Sequence, residues 1–223
     1  MKLPTKQIRG KSVETQPEDL LPKFGVRSNK MGYTGQELAN AEDYFLLLFS
    51  DEIMQTFVEA TNDFAKATNR KKWRKLTIPE FKTFLAMVLY LGLVKYPSRG
   101  MAWSIYKFYG SEFVKSMMSQ SRFEQILSCW HYMNTADLSD KERREAKKND
   151  AFYSVTPFLE LLAENFNKWY QAGQGLDIDE SCFDFKGRHR ARCYNPNKPS
   201  KWHFKAYCLN DSSTGYLCNF WIL

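Results

Sequence analysis

Across Gly173 and Gly175 the spacing of apolar residues changes period, and this change sets what the chain can fold into. Before it, Val155, Phe158, Leu159, Leu162, Phe166 and Trp169 recur every three or four residues, the spacing of one buried helix face. After it come Leu176 to Phe185, Trp202 to Leu209 and Tyr216 to Leu223, short runs rich in aromatic and β-branched residues that read as strands. Asn210-Asp211-Ser212-Ser213-Thr214-Gly215 supplies turn chemistry between the last two, so those strands form a hairpin. The class is α+β: a helical region, then a three-stranded antiparallel meander.

Within the helical region Ser50 reads as an N-cap, with Asp51 and Glu52 in the first turn, where the helix dipole favours acids. Thr77-Ile78-Pro79-Glu80 reads as a capping box, with the proline early enough to be tolerated. It opens a strongly apolar helix through Phe81, Phe84, Leu85, Val88, Leu89 and Leu91. Ser121 opens another, carrying Phe123, Ile126, Leu127 and Trp130. The charged run Lys141 to Lys148 is an exposed connection or a surface helix. Residues 1–32 are polar and punctuated by Pro4, Pro17 and Pro22, and read as a flexible basic arm. Three segments result: 1–32, a helical region over 33–175, and a strand region over 176–223.

A net charge of +7 and a pI near 9.1 favour an anionic partner, nucleic acid before an acidic membrane surface. No apolar run approaches the roughly 18 residues of a membrane span, and Met1 to Lys11 lacks the apolar core of a secretory signal. Five cysteines without CxxC spacing argue against a disulfide framework or zinc knuckle and for a reducing, intracellular compartment. The apolar run Asn219 to Leu223 would leave a bare strand edge, so the chain is expected to be the front part of a larger fold.

The strand at 176–185 carries carboxylates. Residues two apart in a strand share a face, so Asp177 and Asp179 point one way and Glu180 the other. Asp179 reads either as an ordinary strand acid or, with Asp177, as a weak cation chelate. Directly after it, Lys186 to Lys205 contains seven Lys or Arg and no Asp or Glu. This run reads as a solvated loop or as a phosphate-neutralising one, and in the second case Arg188, Arg190, Arg192, Lys198 and Lys201 are the contacts. Trp202 reads as core rather than as a base-stacking platform. Arg70-Lys71-Lys72-Trp73-Arg74-Lys75 is a nuclear-import signal, a DNA contact or a soluble connection. His131, His189 and His203 have no ligand spacing and read as satisfied or exposed.

Taken together, Asp179-Glu180, Phe185-Lys186-Gly187-Arg188, Tyr194, Pro196 to Trp202, Lys205, Asp211-Ser212 and Thr214-Gly215-Tyr216 resemble the core of piggyBac-type transposases and their domesticated relatives. The region from about Gly32 to Ala172, including Ser121-Arg122-Phe123, resembles the family's N-terminal helical part more loosely. Cys182, Phe183, Asp184 and Phe204 depart from the usual pattern.

The resemblance implies metal-dependent cut-and-paste DNA transposition by an RNase H-like domain, whose first three antiparallel strands would lie at 176–223. It implies three aspartates holding two divalent ions, Mg2+ or Mn2+, and the first of these falls on Asp179. Two such ions clamp the attacking and leaving oxygens of a phosphodiester. The other two aspartates lie beyond the last residue of this chain, so the expectation is a fragment inactive alone that binds DNA. The alternative is an interaction module or regulator pairing with a related full-length transposase. The helical region would serve DNA binding and dimerisation. The partners expected are transposon-end-like DNA and a second copy or related transposase, with no membrane, in the nucleus.

Overall fold

A computed structural model of the chain describes residues 41–106, 108–170 and 172–223. The expected arm at 1–32 lies outside them. The described helices are α1 (Ala41–Leu48), α2 (Asp51–Ala67), α3 (Ile78–Leu93), α4 (Glu112–Met117), α5 (Gln120–Cys129), α6 (Asp140–Asn149) and α7 (Thr156–Trp169), with a 3-10 turn at Arg99–Trp103. The strands are β1 (Leu176–Asp184), β2 (Cys193–Tyr194), β3 (Trp202–Asp211) and β4 (Leu217–Ile222). Two compact units form: Phe49–Glu160, and residues 41–48 together with Leu161–Leu223. The α+β class is as expected, and the last part of α7 falls with the sheet.

The helical unit is organised by aromatic rings. Phe57 on α2 lies 4.9–5.9 Å from the rings of Phe49, Phe81, Trp130, Tyr132 and Phe158. Phe84 extends the cluster to Phe123 at 5.1 Å. Each buried side chain of this size contributes about 1.5–3 kcal/mol, and such ring pairs add about 0.5–1.5 kcal/mol. Ser50 caps α2 as expected, its Oγ accepting the Ile53 N–H at 3.4 Å. The cap of α5 is Ser119, not Ser121: its Oγ accepts the Arg122 N–H at 3.3 Å, so the helix starts earlier than the apolar spacing suggested. The charged run forms the exposed helix α6, started by a complete capping box between Ser139 and Glu142.

At α3 the expected capping box forms by half. Thr77 Oγ1 accepts the Glu80 N–H at 3.5 Å, but the Glu80 carboxylate turns away from the helix end. It accepts Arg122 Nε at 2.8 Å and Arg122 Nη2 at 2.6 Å, and pairs with Arg74 as well. The Arg122 guanidinium, almost wholly buried, also lies 4.9 Å over the Trp73 ring. A bidentate charge pair outcompetes a single bond to an exposed backbone N–H. The basic connection before α3 is likewise pinned: Asn62 Oδ1 accepts Trp73 Nε1 at 3.1 Å and the Leu76 N–H at 2.8 Å.

In the second unit β3 is central. β1 pairs antiparallel along one edge, from Leu176 opposite Asp211 to Asp184 opposite His203. β2 and β4 lie end to end along the other edge. The expected meander is therefore β1-β3-β4, while the two residues of β2 are too few to show a period. The end of α7 packs on the sheet through Phe166, whose ring meets Tyr216 and Phe220 at 6.2 and 6.1 Å. Burial pushes the Tyr216 phenol up to about 12.

The hairpin turn is built on Asp211, 1% exposed. Its carboxylate accepts the Gly173 N–H at 2.7 Å, the Ser213 N–H at 2.8 Å, the Thr214 N–H at 3.3 Å, and the hydroxyls of Ser213 and Tyr170 at 2.5 and 2.9 Å. Gly215 turns the chain at φ 74, which a side chain resists. The bonds from Gly173 and then Ser213 hold the Asp211 carboxyl far below the usual carboxylate range. A depressed folded pKa stabilises above the unfolded value of about 3.9 and is lost as pH falls through the folded one. Asp211→Asn puts an amide donor among donors, so its melting temperature should fall by roughly 5 °C or more at neutral pH. It should also lose less of its remaining stability than the wild type on acidification below about pH 4. Thermal melts across pH check both, and an unchanged melting temperature would remove Asp211 as the organiser of the turn.

Candidate nucleic-acid interface beside the Asp179 strand

Asp179 stands exposed in the middle of β1, opposite Cys208 of β3. Its Oδ1 accepts the Glu180 N–H at 2.7 Å. Glu180 leaves by the other face, as the strand period requires, and pairs with Lys205 Nζ at 2.8 Å. That bond lowers the Glu180 carboxyl and raises the Lys205 ammonium from their ordinary values. Lys205 thus serves Glu180 and not Asp179.

A magnesium or manganese pair needs a convergent set of oxygen donors. Among the described residues no three His, Cys, Asp or Glu side chains come together in a way that would hold an ion. Asp179 and Asp177 supply two exposed carboxylates on one face, which does not fit a two-ion site. Millimolar Mn2+ is accordingly expected to shift the melting temperature of this chain by less than about 1 °C, in wild type and Asp179→Asn alike. A larger shift abolished by Asp179→Asn would show a competent site at this position.

The basic segment between β1 and β3 is folded back on itself in two limbs. In the first, Arg192 Nη1 donates to the carbonyls of Gly187 at 2.8 Å and Lys186 at 3.3 Å, while its guanidinium lies 4.0 Å over the Trp202 ring. Phe185 stacks on Phe204 at 4.3 Å, and His189 meets the same ring edge-on at 5.0 Å. In the second limb the Asn195 N–H donates to Lys201 O at 2.9 Å, and Asn195 Oδ1 accepts the Asn197 N–H at 3.0 Å. Asn-Pro-Asn is thereby a closed turn, the behaviour expected of Asx side chains. His203 is buried beside it, its Nδ1 2.8 Å from Ser200 O.

The five basic residues named from sequence divide in two. Arg188, Arg190 and Lys201 are exposed. Lys198 is half-buried. Arg192, also half-buried, staples the loop through the Lys186 and Gly187 carbonyls. Trp202 is not core: it is 42% exposed at the start of β3, with Tyr194 at 53% beside it, ring centroids 4.5 Å apart. The reason is its place at the sheet end, where Arg192 and Tyr194 are the groups against it. Tyr194, an aromatic inside a basic run, is the other half of this exposed ring pair.

A family model described as Transposase IS4 matches residues 40–223. The chain is 27% identical over 191 residues to the human PiggyBac transposable element-derived protein 5, covering 82% of this chain and 35% of that protein. It is 28% identical over 174 residues to the human PiggyBac transposable element-derived protein 3, covering 78% of this chain and 28% of that one. A solved structure, a cryo-EM piggyBac transposase synaptic complex with hairpin DNA, matches with a TM-score of 0.67 and 27% identity over 80% of this chain and 37% of its own. The chain therefore spans about a third of the length of these proteins.

Proposed function

The chain belongs to the piggyBac-type transposase family, and from that premise we propose that it is a DNA-binding, non-catalytic segment of a transposase-derived protein. The observation that carries this reading is the two-limbed loop between β1 and β3. It holds Arg188, Arg190 and Lys201 out to solvent without an acid between Lys186 and Lys205. Pre-ordered cations of this kind neutralise phosphates at little ordering cost, giving affinity without sequence choice.

In this reading 176–223 opens an RNase H-like domain and Asp179 is its first metal-binding aspartate, while the helical region from 33 to 175 serves DNA binding and dimerisation. Metal-dependent cut-and-paste transposition is the activity of the family. Because Asp179 has no convergent set of further ligands among the described residues, excision is not expected from this segment alone. A nuclear location follows from a DNA partner and is supported by the exposed Lys71 and Lys72 before α3. Fluorescent imaging of the expressed chain tests that part.

The test of the main reading is duplex binding across salt. The logarithm of the association constant should fall linearly with the logarithm of salt, at a slope of about −0.9 for each phosphate neutralised. Binding that is absent at low salt, or indifferent to salt, overturns it. A second reading, pairing with another copy or a related transposase, is supported by exposed apolar residues of the helical unit: Leu93 at 85%, Ile105 at 83% and Phe108 at 96% exposed. Particle size measured across concentrations decides it.

A further inference from the structure

The loop between β1 and β3 leaves a second group of cations unexplained, and these lie in the helical unit. Between the start of α3 and the α4–α5 corner is a cleft of about 750 Å³. Arg74, Lys75 and Arg122 line it, with Glu80 as the one acid among the lining residues. Three cations against one acid leave the wall with an excess of positive charge. Thr77 and Ser119, the N-caps of α3 and α5, also line the cleft, so two helices present their positive ends to it. Their hydroxyl oxygens accept the Glu80 and Arg122 N–H groups, which leaves both hydroxyl protons available to an acceptor.

An independent observation comes from Arg122. Its side chain is 8% exposed, its Nε and Nη2 are bound to Glu80, and its Nη1 has no hydrogen-bond partner among the described residues. A buried donor without an acceptor costs stability, and this one belongs to a residue of the cleft wall. Such a wall asks for an anion. A carboxylate or a backbone phosphodiester brings one charge and two free oxygens, whereas a phosphate monoester brings about 1.5–2 charges and three oxygens. The doubly charged form matches the excess of cations. The cleft is also roomier than a single ion, and its wall includes the apolar Pro79, Met117 and Met118, which suit the carbon atoms of a residue carrying the phosphate. We propose that this cleft binds a dianionic phosphate, as a monoester or as the free ion, among Arg74, Lys75, Arg122 and the hydroxyls of Thr77 and Ser119. The site stands apart from the DNA-binding reading, since it uses no residue between Lys186 and Lys205.

The experiment titrates the 223-residue chain calorimetrically with a short phosphoserine peptide, its serine counterpart, inorganic phosphate and dimethyl phosphate. The phosphoserine peptide should bind at least about 10-fold more tightly than the serine peptide or dimethyl phosphate, the scale of one or two charge-assisted bonds. Arg74→Gln with Lys75→Gln should remove that preference; both side chains are exposed, so the fold should survive the change. The triple variant Arg188→Glu, Arg190→Glu and Lys201→Glu should retain it. Inorganic phosphate that binds as tightly as the peptide assigns the site to the free ion, and weaker binding assigns it to a phosphorylated residue; both uphold the site. Equal affinity for the serine and phosphoserine peptides overturns it, and so does a preference that survives the double substitution. Duplex binding that weakens in the double variant, without any phosphoserine binding, gives the cleft to backbone diesters and overturns it too. Should the double variant unfold, nuclear magnetic resonance of the unsubstituted chain decides: phosphate should shift the amide signals of Ile78, Gln120 and Ser121 at the two helix starts. Shifts confined to Lys186 to Lys205 overturn the proposal.

Discussion

Arg122→Ala is expected to lower folding stability by about 3–5 kcal/mol, or roughly 10 °C in melting temperature, measured by denaturant and thermal unfolding. The side chain is almost wholly buried, makes two bonds to Glu80 and covers the Trp73 ring. Removing it leaves a mostly buried carboxylate with Arg74 as its remaining charged partner, and opens a cavity against an indole. Arg122→Lys keeps the charge but cannot reproduce the two-pronged bond or the stacking, so it should recover only part of the loss. The pH dependence has a definite sign. Arg122 first, then Arg74, hold the Glu80 carboxyl below its ordinary range, although burial opposes them. The pair therefore stabilises fully above the unfolded glutamate value of about 4.3, and that contribution is lost as pH falls through the lower folded value. The gap between wild type and Arg122→Ala should narrow as the pH is taken down toward about 3, leaving the part due to the cavity and the lost stacking on Trp73. A loss under about 1 kcal/mol at neutral pH would mean that the pair gains no more than an exposed salt bridge does.

Charge reversal on the loop should have the largest effect on binding. The triple variant Arg188→Glu, Arg190→Glu and Lys201→Glu is expected to weaken duplex affinity by about 10- to 100-fold near physiological salt and to flatten the salt slope by about 2–3. The loss should be equal across duplex sequences, because phosphate contacts carry no base information. Arg192 is left out of the triple on purpose. Its guanidinium closes the first limb, so Arg192→Glu is expected to lower the melting temperature as well as affinity. Anisotropy titrations at several salt concentrations distinguish the outcomes. An unchanged slope in the triple variant moves the DNA contact off this loop.

Much of the fold was legible because period and turn chemistry are local. The helical spacing through Trp169, the strands after Gly175 and the hairpin at Asn210 to Gly215 all appear in the structure close to where the spacing placed them. What spacing misses is short: α1, α4, the 3-10 turn and the two residues of β2 span too few residues to repeat. The errors at Ser121 and at the Thr77 box share a different cause. Serine runs offer several caps, and a glutamate at the third helical position is free to serve a distant arginine instead. Trp202 was misplaced because an aromatic flanked by strand residues looks the same whether or not another layer covers it.

By itself the sequence determined the class, the family resemblance and the loop's charge, since each depends on which residues follow one another along the chain. It also determined that Asp179 and Glu180 leave β1 by opposite faces, because a strand alternates. Only the tertiary structure decided what the polar groups do. Glu80 turned to Arg122, Asp211 gathered its donors from its own turn and from Tyr170 and Gly173 ahead of β1, and Arg192 became a staple while Arg188 stayed exposed. The physical reason is common to all of them. A charged side chain goes to the strongest partner within reach, and what lies within reach is set by the folded path of the chain: by segments far apart in sequence for Glu80 and in part for Asp211, and by the folded-back loop for Arg192.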